Sequence, residues 1–261
     1  MSAYYNEIDP FAAAWLRELI KQGHIADGVV DERSIEDVCP NELREFTQCH
    51  FFAGIGVWSY ALRQAGWPDD RPVWTGSCPC QPFAAIGRRA GFNDERHLWP
   101  SLHWLIKQCQ PNTIFGEQVA SKDARTWLDL VSADLEGENF AIGSASTVAC
   151  GFGSPMLGQR IYWVGTTERK GLEGYDGDEK RSGQQGREQT IQGRSSPTPS
   201  LCNGFWGNFL VAEGNGYRKP VQSCTFPLVD GTAARVGRLR GYGNAIVAQQ
   251  AQAFVEAYLE V

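Results

Sequence analysis

The chain has 261 residues, of which 42% are hydrophobic, enough for one large domain or for one domain with an inserted module. Its formal net charge is −6 at pH 7, so it is not a polycation, and a nucleic acid would have to be held by a local basic surface. The chain has eight cysteines but no Cys-x-x-Cys pair, and its N-terminus has no signal-peptide pattern, which argues against a disulfide scaffold. It also has no apolar run long enough to span a membrane. We therefore expect a cytoplasmic protein with reduced thiols.

Apolar patterns along the first two thirds of the chain predict alternating helices and strands. In chain order they are a helix over 10–20, an apolar stretch over 25–30, a strand over 48–52, a helix over 57–66, a strand over 73–76, a helix over 98–106, a strand over 113–116, a helix over 127–135 and a strand over 160–165. Asp9 before Pro10 is typical of a helix start, and Gly66 is typical of a helix end. This alternation predicts an α/β domain with a mainly parallel sheet.

The composition changes at Thr166. From there to about residue 201 the chain is rich in Gly, Ser, Gln, Arg and Glu and poor in apolar residues, which indicates a loop or a partly disordered arm. Short strands are predicted over 205–211 and 224–229, and a final helix ends the chain. The expected domains are residues 1–165, completed by 226–261, and a small module over 166–225.

Two loops that follow predicted strands are candidates for chemistry. FAGIG, residues 52–56, leads from a strand into a helix, where glycines let the backbone approach a ligand; a tight turn without a ligand has the same pattern. PCQPF, residues 79–83, holds Cys80 in a loop that two prolines stiffen, as suits a thiol aimed at a substrate. The alternative is that Cys80 is only a small apolar residue in a turn, without a chemical role.

Glu117 is predicted just past the strand over 113–116, as Cys80 follows the strand over 73–76. Ligands of α/β proteins bind at the carboxyl ends of parallel strands, so neighbouring strands would bring thiol and carboxyl to one crevice. A nucleophile beside a proton donor is what covalent catalysis needs, although an ordinary surface glutamate remains the alternative.

A zinc site is a further interpretation of this region. Its ligands would be Cys78, Cys80, His97 and His103. A Cys-x-Cys spacing suits zinc poorly, so we expect no metal.

Five segments in this order, FAGIG, GSCPCQPF, GEQV, QRIYWVG and GYGNAIV, resemble the DNA (cytosine-5) methyltransferases over nearly the whole chain apart from residues 166–225. The resemblance implies a Rossmann-like fold that uses S-adenosylmethionine as methyl donor, with residues 166–225 as a small target-recognition module. It implies double-stranded DNA as the partner, a short recognised site and a monomer that acts on DNA, in the nucleoid of a bacterium or in the host cytoplasm if the gene belongs to mobile DNA.

The cofactor segments of this family are out of order in the chain. Residues 4–20 and 23–38 resemble the family's second and third strand–helix units, which normally follow the glycine turn. The resemblance therefore implies a circular permutation in which Glu7 binds ribose, Ile8 packs on adenine and Asp31 accepts from its amino group. An unrelated N-terminal helix and a lost cofactor site is the alternative. In the permuted order, the crossover from the glycine-turn strand to the cysteine strand is left-handed unless its helix has changed face.

The resemblance also assigns roles to the remaining site residues. Cys80 attacks C6 of a flipped cytosine, Glu117 protonates N3 and Arg160 holds O2. The other implied cofactor contacts are Phe52, Ala53, Gly54, Gly56, Pro79, Asn244 and Val247. The implied DNA contacts are Gln81, Arg88, Arg89, Arg218 and Lys219, although acidic neighbours leave a solvated charged loop as an alternative for the module.

Two positions depart from the family pattern. Gly158 stands where a second arginine is usual, and His50 stands where an acidic residue usually precedes the glycine turn. A cytosine deaminase that uses the same thiol addition is an alternative if the N-terminal cofactor residues do not assemble. A DNA-binding homologue with impaired catalysis is another, favoured by Gly158 and the polar arm. A restriction–modification partner, self-protection of mobile DNA and solitary methylation are all compatible with the sequence.

Overall fold

We analysed a computed structural model, which describes residues 2–79, 98–152, 158–167, 209–214, 217–222 and 245–260. The strands are β1 (Ala3–Asn6), β2 (Gly28–Asp31), β3 (Gln48–Phe51), β4 (Val73–Gly76), β5 (Thr113–Val119), β6 (Ala141–Thr147), β7 (Arg160–Thr166), β8 (Phe209–Gly214) and β9 (Tyr217–Gln222). The helices are α1 (Pro10–Lys21), α2 (Pro40–Leu43), α3 (Val57–Gln64), α4 (Trp99–Cys109), α5 (Lys122–Gly137) and α6 (Ala248–Leu259). Two 3-10 turns cover Ile35–Asp37 and Ala149–Phe152.

Seven strands form one twisted sheet in the order β2-β1-β3-β4-β5-β7-β6. The first five pair in parallel, whereas β7 runs antiparallel to both β5 and β6. The mainly parallel α/β class predicted from the sequence is thus confirmed. In the described part of the chain, β8 and β9 pair only with each other, as an antiparallel hairpin.

Alternate residues of the strands point to opposite faces of the sheet, and a layer of helices covers each face. Tyr5 of β1, His50 of β3 and Phe115 of β5 face the layer of α1, α3 and α6. Tyr4 and Trp74 face the opposite layer, formed by α2, α4 and α5. This period of two is what a pleated strand imposes on side chains, and it gives each face of the sheet its own apolar core.

The crossover from β3 to β4 has the opposite hand to its neighbours. Helices α1 and α3 lie on the same face, since the Ser59 hydroxyl bonds both Tyr5 and the backbone N–H of Ala26. Yet β1-α1-β2 steps toward one edge of the sheet and β3-α3-β4 toward the other, so their hands must differ. The β2–β3 and β4–β5 crossovers step the same way as β3–β4 but carry their helices on the other face, and therefore share the hand of β1-α1-β2. Because about 98% of such crossovers are right-handed, β3-α3-β4 is left-handed.

Several element boundaries differ from the sequence prediction. Strand β5 runs to Val119, so Glu117 lies within the strand rather than just past it, because antiparallel pairing with β7 continues to Val119 opposite Arg160. Strand β6 was not predicted, since its residues, AIGSAST, are small, polar and half exposed. Among the predicted module strands, residues 224–229 lie outside the described residues.

Candidate active site

A cleft of about 430 Å³ opens at the carboxyl ends of the parallel strands. Its walls come from the segments after β1, β3 and β4, from the end of β5 and the start of β7, and from the residues before α6. Glu7, Phe52, Pro79, Glu117 and Arg160 all line it. Residues far apart in the chain therefore meet in one cavity.

The N-terminal segment is bonded directly to the glycine turn. Glu7 accepts hydrogen bonds from the backbone N–H of Gly54, at 2.7 Å, and of Asp9, at 2.8 Å. The backbone N–H of Ala53 donates to the carbonyl of Asn6 at 3.0 Å. Burial raises the pKa of Glu7, and the two backbone hydrogen bonds oppose that rise. The first strand and the glycine turn thus share one wall of the cleft.

Backbone geometry explains two glycines of the turn. Gly54 has φ +56° and Gly56 has φ +80°, in the left-handed region that glycine adopts without strain. Phe52, Ala53 and Gly54 line the cleft, whereas Gly56 lies against Leu16 of α1. With Ile55, the turn therefore presents its first four residues to the cleft, and its last glycine lets α1 pack closely.

Ile8 and Asp31, the two predicted adenine contacts, have different surroundings. Ile8 lines the cleft with 66% of its surface exposed, next to the partly buried Glu7. Asp31 does not line the cleft: its carboxylate accepts hydrogen bonds from the Tyr4 hydroxyl at 2.7 Å and from the side chain and backbone of Arg33. Burial pushes the pKa of Asp31 up, but these hydrogen bonds outweigh it and the pKa is lowered.

The loop after Asp31 contributes residues that the sequence analysis missed. The cleft is lined at this point by Arg33, Ser34 and Ile35, and not by Asp31. Ser34 begins the 3-10 turn over Ile35–Asp37, where its hydroxyl accepts from the backbone N–H of Glu36. That serine start was the available signal, because a capping serine marks where a short helical turn begins.

Glu117 and Arg160 form an ion pair inside the cleft. Nε of Arg160 lies 2.8 Å from Oε1 of Glu117, although the contact lacks hydrogen-bond geometry. Glu117 is 7% exposed, and burial raises its pKa to about 7 while the Arg160 charge and the Ser77 hydroxyl act in the opposite direction. A carboxyl group with this pKa is present in both protonation states at neutral pH, as a general acid requires.

Cys80 lies outside the described residues, but the two residues before it are described. Pro79 lines the cleft, and Cys78 is buried with its carbonyl accepting from Nε2 of Gln118 at 3.4 Å. Burial raises the pKa of the Cys78 thiol, which makes it a poor nucleophile. The segment leading to Cys80 is thus fixed to β5 beside Glu117.

The described residues contain no group of three or more His, Cys, Asp or Glu that could hold a metal ion. Of the four zinc ligands considered above, Cys78 lies in the core and His103 stacks on Trp99 of α4. The other two lie outside the described residues. No helix in the described ranges is both long and apolar enough to cross a membrane.

The two departures from the family pattern have local structural explanations. His50 is 1% exposed, stacks on Tyr5 at 4.9 Å and contacts Oγ1 of Thr75 at 2.9 Å, so it belongs to the core and does not line the cleft. Gly158 has φ +45°, and a Cβ there would lie 2.8 Å from Cβ of Ala149. An arginine at position 158 would be strained.

The remaining predicted residues are only partly described. Val247 precedes α6, and its carbonyl accepts from the backbone N–H groups of Gln250 and Ala251, while Ala245 and Ile246 line the cleft. Strand β9 includes Arg218 and Lys219. The residues outside the described ranges are Asn244, Gln81, Arg88 and Arg89.

Comparison with known proteins identifies relatives of this chain. The family model described as C-5 cytosine-specific DNA methylase matches residues 67–200. Type II methyltransferase M1.ScrFI of Lactococcus lactis subsp. cremoris is 31% identical over 67% of this chain and 44% of its own length. Type II methyltransferase M.HpaII of Haemophilus parainfluenzae is 25% identical over 52% of this chain and 50% of its own length. The chain thus spans about half the length of these curated relatives. Spodoptera frugiperda DNMT2 aligns in structure over 64% of this chain and 43% of its own, with 16% identity and a TM-score of 0.43.

Proposed function

The chain belongs to the C-5 cytosine-specific DNA methylase family, and from that membership we propose that it methylates C5 of a cytosine flipped out of duplex DNA. One observation carries the proposal. Glu117 and Arg160 meet in the cleft that Pro79, the residue before Cys80, also lines. These are the groups that an addition to cytosine requires, and the same cleft includes the glycine turn.

The pair has the chemistry to bind and activate the base. Protonated Glu117 donates its proton to N3, which leaves a carboxylate that the nearby Arg160 charge stabilises. Arg160 also offers donors to O2 of the ring. Because Glu117 is buried and its pKa is about 7, the proton is available at neutral pH and is readily transferred.

The Cys80 thiolate would add to C6, which makes C5 nucleophilic. The hydrogen bond from Gln118 to the Cys78 carbonyl supports this role, because it fixes the start of the cysteine loop next to Glu117. After methylation, a base takes the C5 proton, the Cys80 thiolate leaves C6 and the N3 proton returns to Glu117, which restores the aromatic ring. The base must leave the helix stack for the thiol to reach C6.

The opposite side of the cleft fits S-adenosylmethionine, which supplies the methyl group when bound. Glu7 presents a carboxylate suited to two ribose hydroxyls, and exposed Ile8 offers an apolar surface for adenine. Ser34 and Ile35 are better candidates than Asp31 for contacts with adenine, because they line the cleft and Asp31 does not.

The strand order supports a circular permutation of the family fold. Strands β1 and β2, which precede the glycine turn in the chain, lie beside β3 at one edge of the sheet. In the usual order of the family they would follow β3. The left-handed β3-α3-β4 crossover is the expected consequence, since β3 and β4 are then joined directly.

Duplex DNA is the proposed partner, with recognition of a short site by residues 166–225 and contacts from Gln81, Arg88, Arg89, Arg218 and Lys219. The two curated relatives described above are named type II methyltransferases, which is compatible with a role in restriction–modification.

The deciding experiment combines duplex DNA with methyl-labelled S-adenosylmethionine and then maps modified cytosines by sequencing. We expect label on C5 at a short, defined site. Uracil without label would indicate deamination instead, and DNA binding without either product would indicate a non-catalytic homologue. Both outcomes would refute the proposal.

The nucleophile is tested with a duplex that contains 5-fluorocytosine, which traps the covalent adduct. Cys80→Ser should form no adduct. Cys39→Ser is the matched control, because Cys39 is an exposed thiol outside the cleft, and it should form adduct like the parent protein. Equal trapping by Cys80→Ser would show that another group attacks the base.

A further inference from the structure

The proposed general acid lies next to a serine that the sequence analysis did not consider. Ser77 follows β4, lines the same cleft as Glu117 and lies three residues before Cys80. Its Oγ accepts a hydrogen bond from Nε1 of Trp58 at 3.0 Å. Trp58 lines this cleft as well, so the three side chains meet at one wall.

Trp58 is a rigid anchor for this hydroxyl. The indole is 5% exposed and is held between Phe115, stacked at 6.0 Å, and Tyr162, edge-on at 5.9 Å. An indole N–H can only donate, so Ser77 must be the acceptor in this bond. The proton of Ser77 is therefore directed away from Trp58 and is free for another acceptor.

The candidate acceptor is the Glu117 carboxyl, which lines the same cleft as Ser77. The Ser77 hydroxyl opposes the rise of the Glu117 pKa that burial causes, and Oε1 of Glu117 has an ion-pair contact with Arg160 but no hydrogen bond. The charged and titratable groups facing Glu117 from the adjoining strand β7 are Arg160 and Tyr162. Helix α3 contributes Trp58, which does not titrate.

We propose that Ser77, oriented by Trp58, is a positioning residue that holds its hydroxyl proton for the carboxylate formed when Glu117 gives its proton to the base. This inference rests on the proposed function, in which the proton moves from Glu117 to N3 of cytosine. The Ser77 hydroxyl stabilises the anion that remains, and it keeps its own proton throughout. Its contribution grows as the carboxylate forms, so it acts on the chemical step and hardly on binding.

The test measures Glu117 directly and the reaction separately. With glutamate side-chain carboxyls labelled with ¹³C, NMR follows each carboxyl against pH, and Glu117→Gln identifies the resonance. In Ser77→Ala we expect the Glu117 midpoint to rise by about one pH unit, the size of one hydrogen bond to a charged group. Ser77→Thr, which keeps the hydroxyl, should restore it, and Trp58→Phe should shift it upward by less.

Kinetics provide the second measurement. Ser77→Ala should lower kcat by about tenfold with KM for DNA and for the methyl donor unchanged, and Ser77→Thr should recover most of the rate. A Ser77→Ala protein that folds, methylates DNA and leaves the Glu117 midpoint in place would overturn the inference. If the midpoint moves but no variant, including the parent, methylates DNA, the proposed function fails while the Ser77–Glu117 contact is upheld.

Discussion

Acidification should destabilise this fold through one buried imidazole, that of His50. Burial lowers its pKa to about 3, an effect that the charge of Asp69 opposes only partly. Above pH 6.5 the ring is neutral in both the folded and the unfolded chain, so it adds no pH dependence. Below pH 6.5 the unfolded chain binds a proton that the folded chain refuses, and the free energy of unfolding falls until the folded ring also titrates near pH 3.

The size of this effect follows from the two pKa values. At pH 5 the unfolded state gains about 2 kcal/mol relative to pH 8, and at pH 3 the loss of stability reaches about 4 kcal/mol. Such a loss is comparable to the entire stability of many domains. Acid unfolding should therefore begin while most carboxylates are still ionised.

Urea unfolding of the parent protein, His50→Gln and His24→Gln at pH 8, 6 and 5 measures the effect. His50→Gln should be less stable at pH 8, because it loses the stacking on Tyr5, but its stability should change between pH 8 and pH 5 by about 2 kcal/mol less than that of the parent. His24 is exposed, so His24→Gln should follow the parent. If His50→Gln keeps the parent's full pH dependence, a neutral buried His50 is refuted.

Three further predictions test the cleft and the core. Glu7→Gln should weaken the binding of S-adenosylmethionine by about tenfold or more in calorimetry, because an amide cannot accept from both the ribose and the backbone as a carboxylate does. Glu18→Gln, on the exposed side of α1, is the control. An unchanged affinity of Glu7→Gln would contradict the permuted alignment. Gly116→Ala should lower the free energy of unfolding by about 3 kcal/mol, since its Cβ would overlap the buried ring of Trp163. The Cβ of Gly137→Ala would meet nothing within 4 Å, so this control should be neutral or mildly stabilising. Equal urea midpoints for the two variants would refute this packing. Gly158→Arg should destabilise the protein and should not raise the rate of methyl transfer. Gly151→Ala, whose Cβ would make only an ordinary van der Waals contact, should behave like the parent protein. A faster Gly158→Arg enzyme would show that the missing arginine limits activity.

The sequence predicted the elements whose apolar spacing is regular. Helix α1 begins at Pro10 after the Asp9 cap, whose side chain accepts from the N–H groups of Phe11 and Ala12 as expected for that pair of residues. Strand β6 escaped prediction because pairing with β7, a long-range contact, defines it, and not its own residues.

Site residues that belong to a sequence motif could be predicted. Those whose surroundings depend on residues brought close by folding were harder to predict. Glu117 and Arg160 were chosen from motifs and meet in the cleft. Asp31 was chosen in the same way, but Arg33, two residues later, binds its carboxylate. Ser77 was missed because its significance comes from Trp58, which is 19 positions away in the chain and adjacent only after folding.

The position of β1 and β2 ahead of β3 in the chain has a consequence for how the polypeptide could be divided. The residues before β3 form the strand–helix–strand unit β1-α1-β2, followed by a 3-10 turn and the short helix α2, and β1 pairs this unit with β3. A cut in the short stretch between α2 and β3, over 44–47, would break no strand, and would leave Glu7 and Ile8 of the cleft on one fragment and Pro79 on the other. The two halves of the cofactor cleft could then be expressed as separate polypeptides, with edge-strand pairing as the means of reassembly.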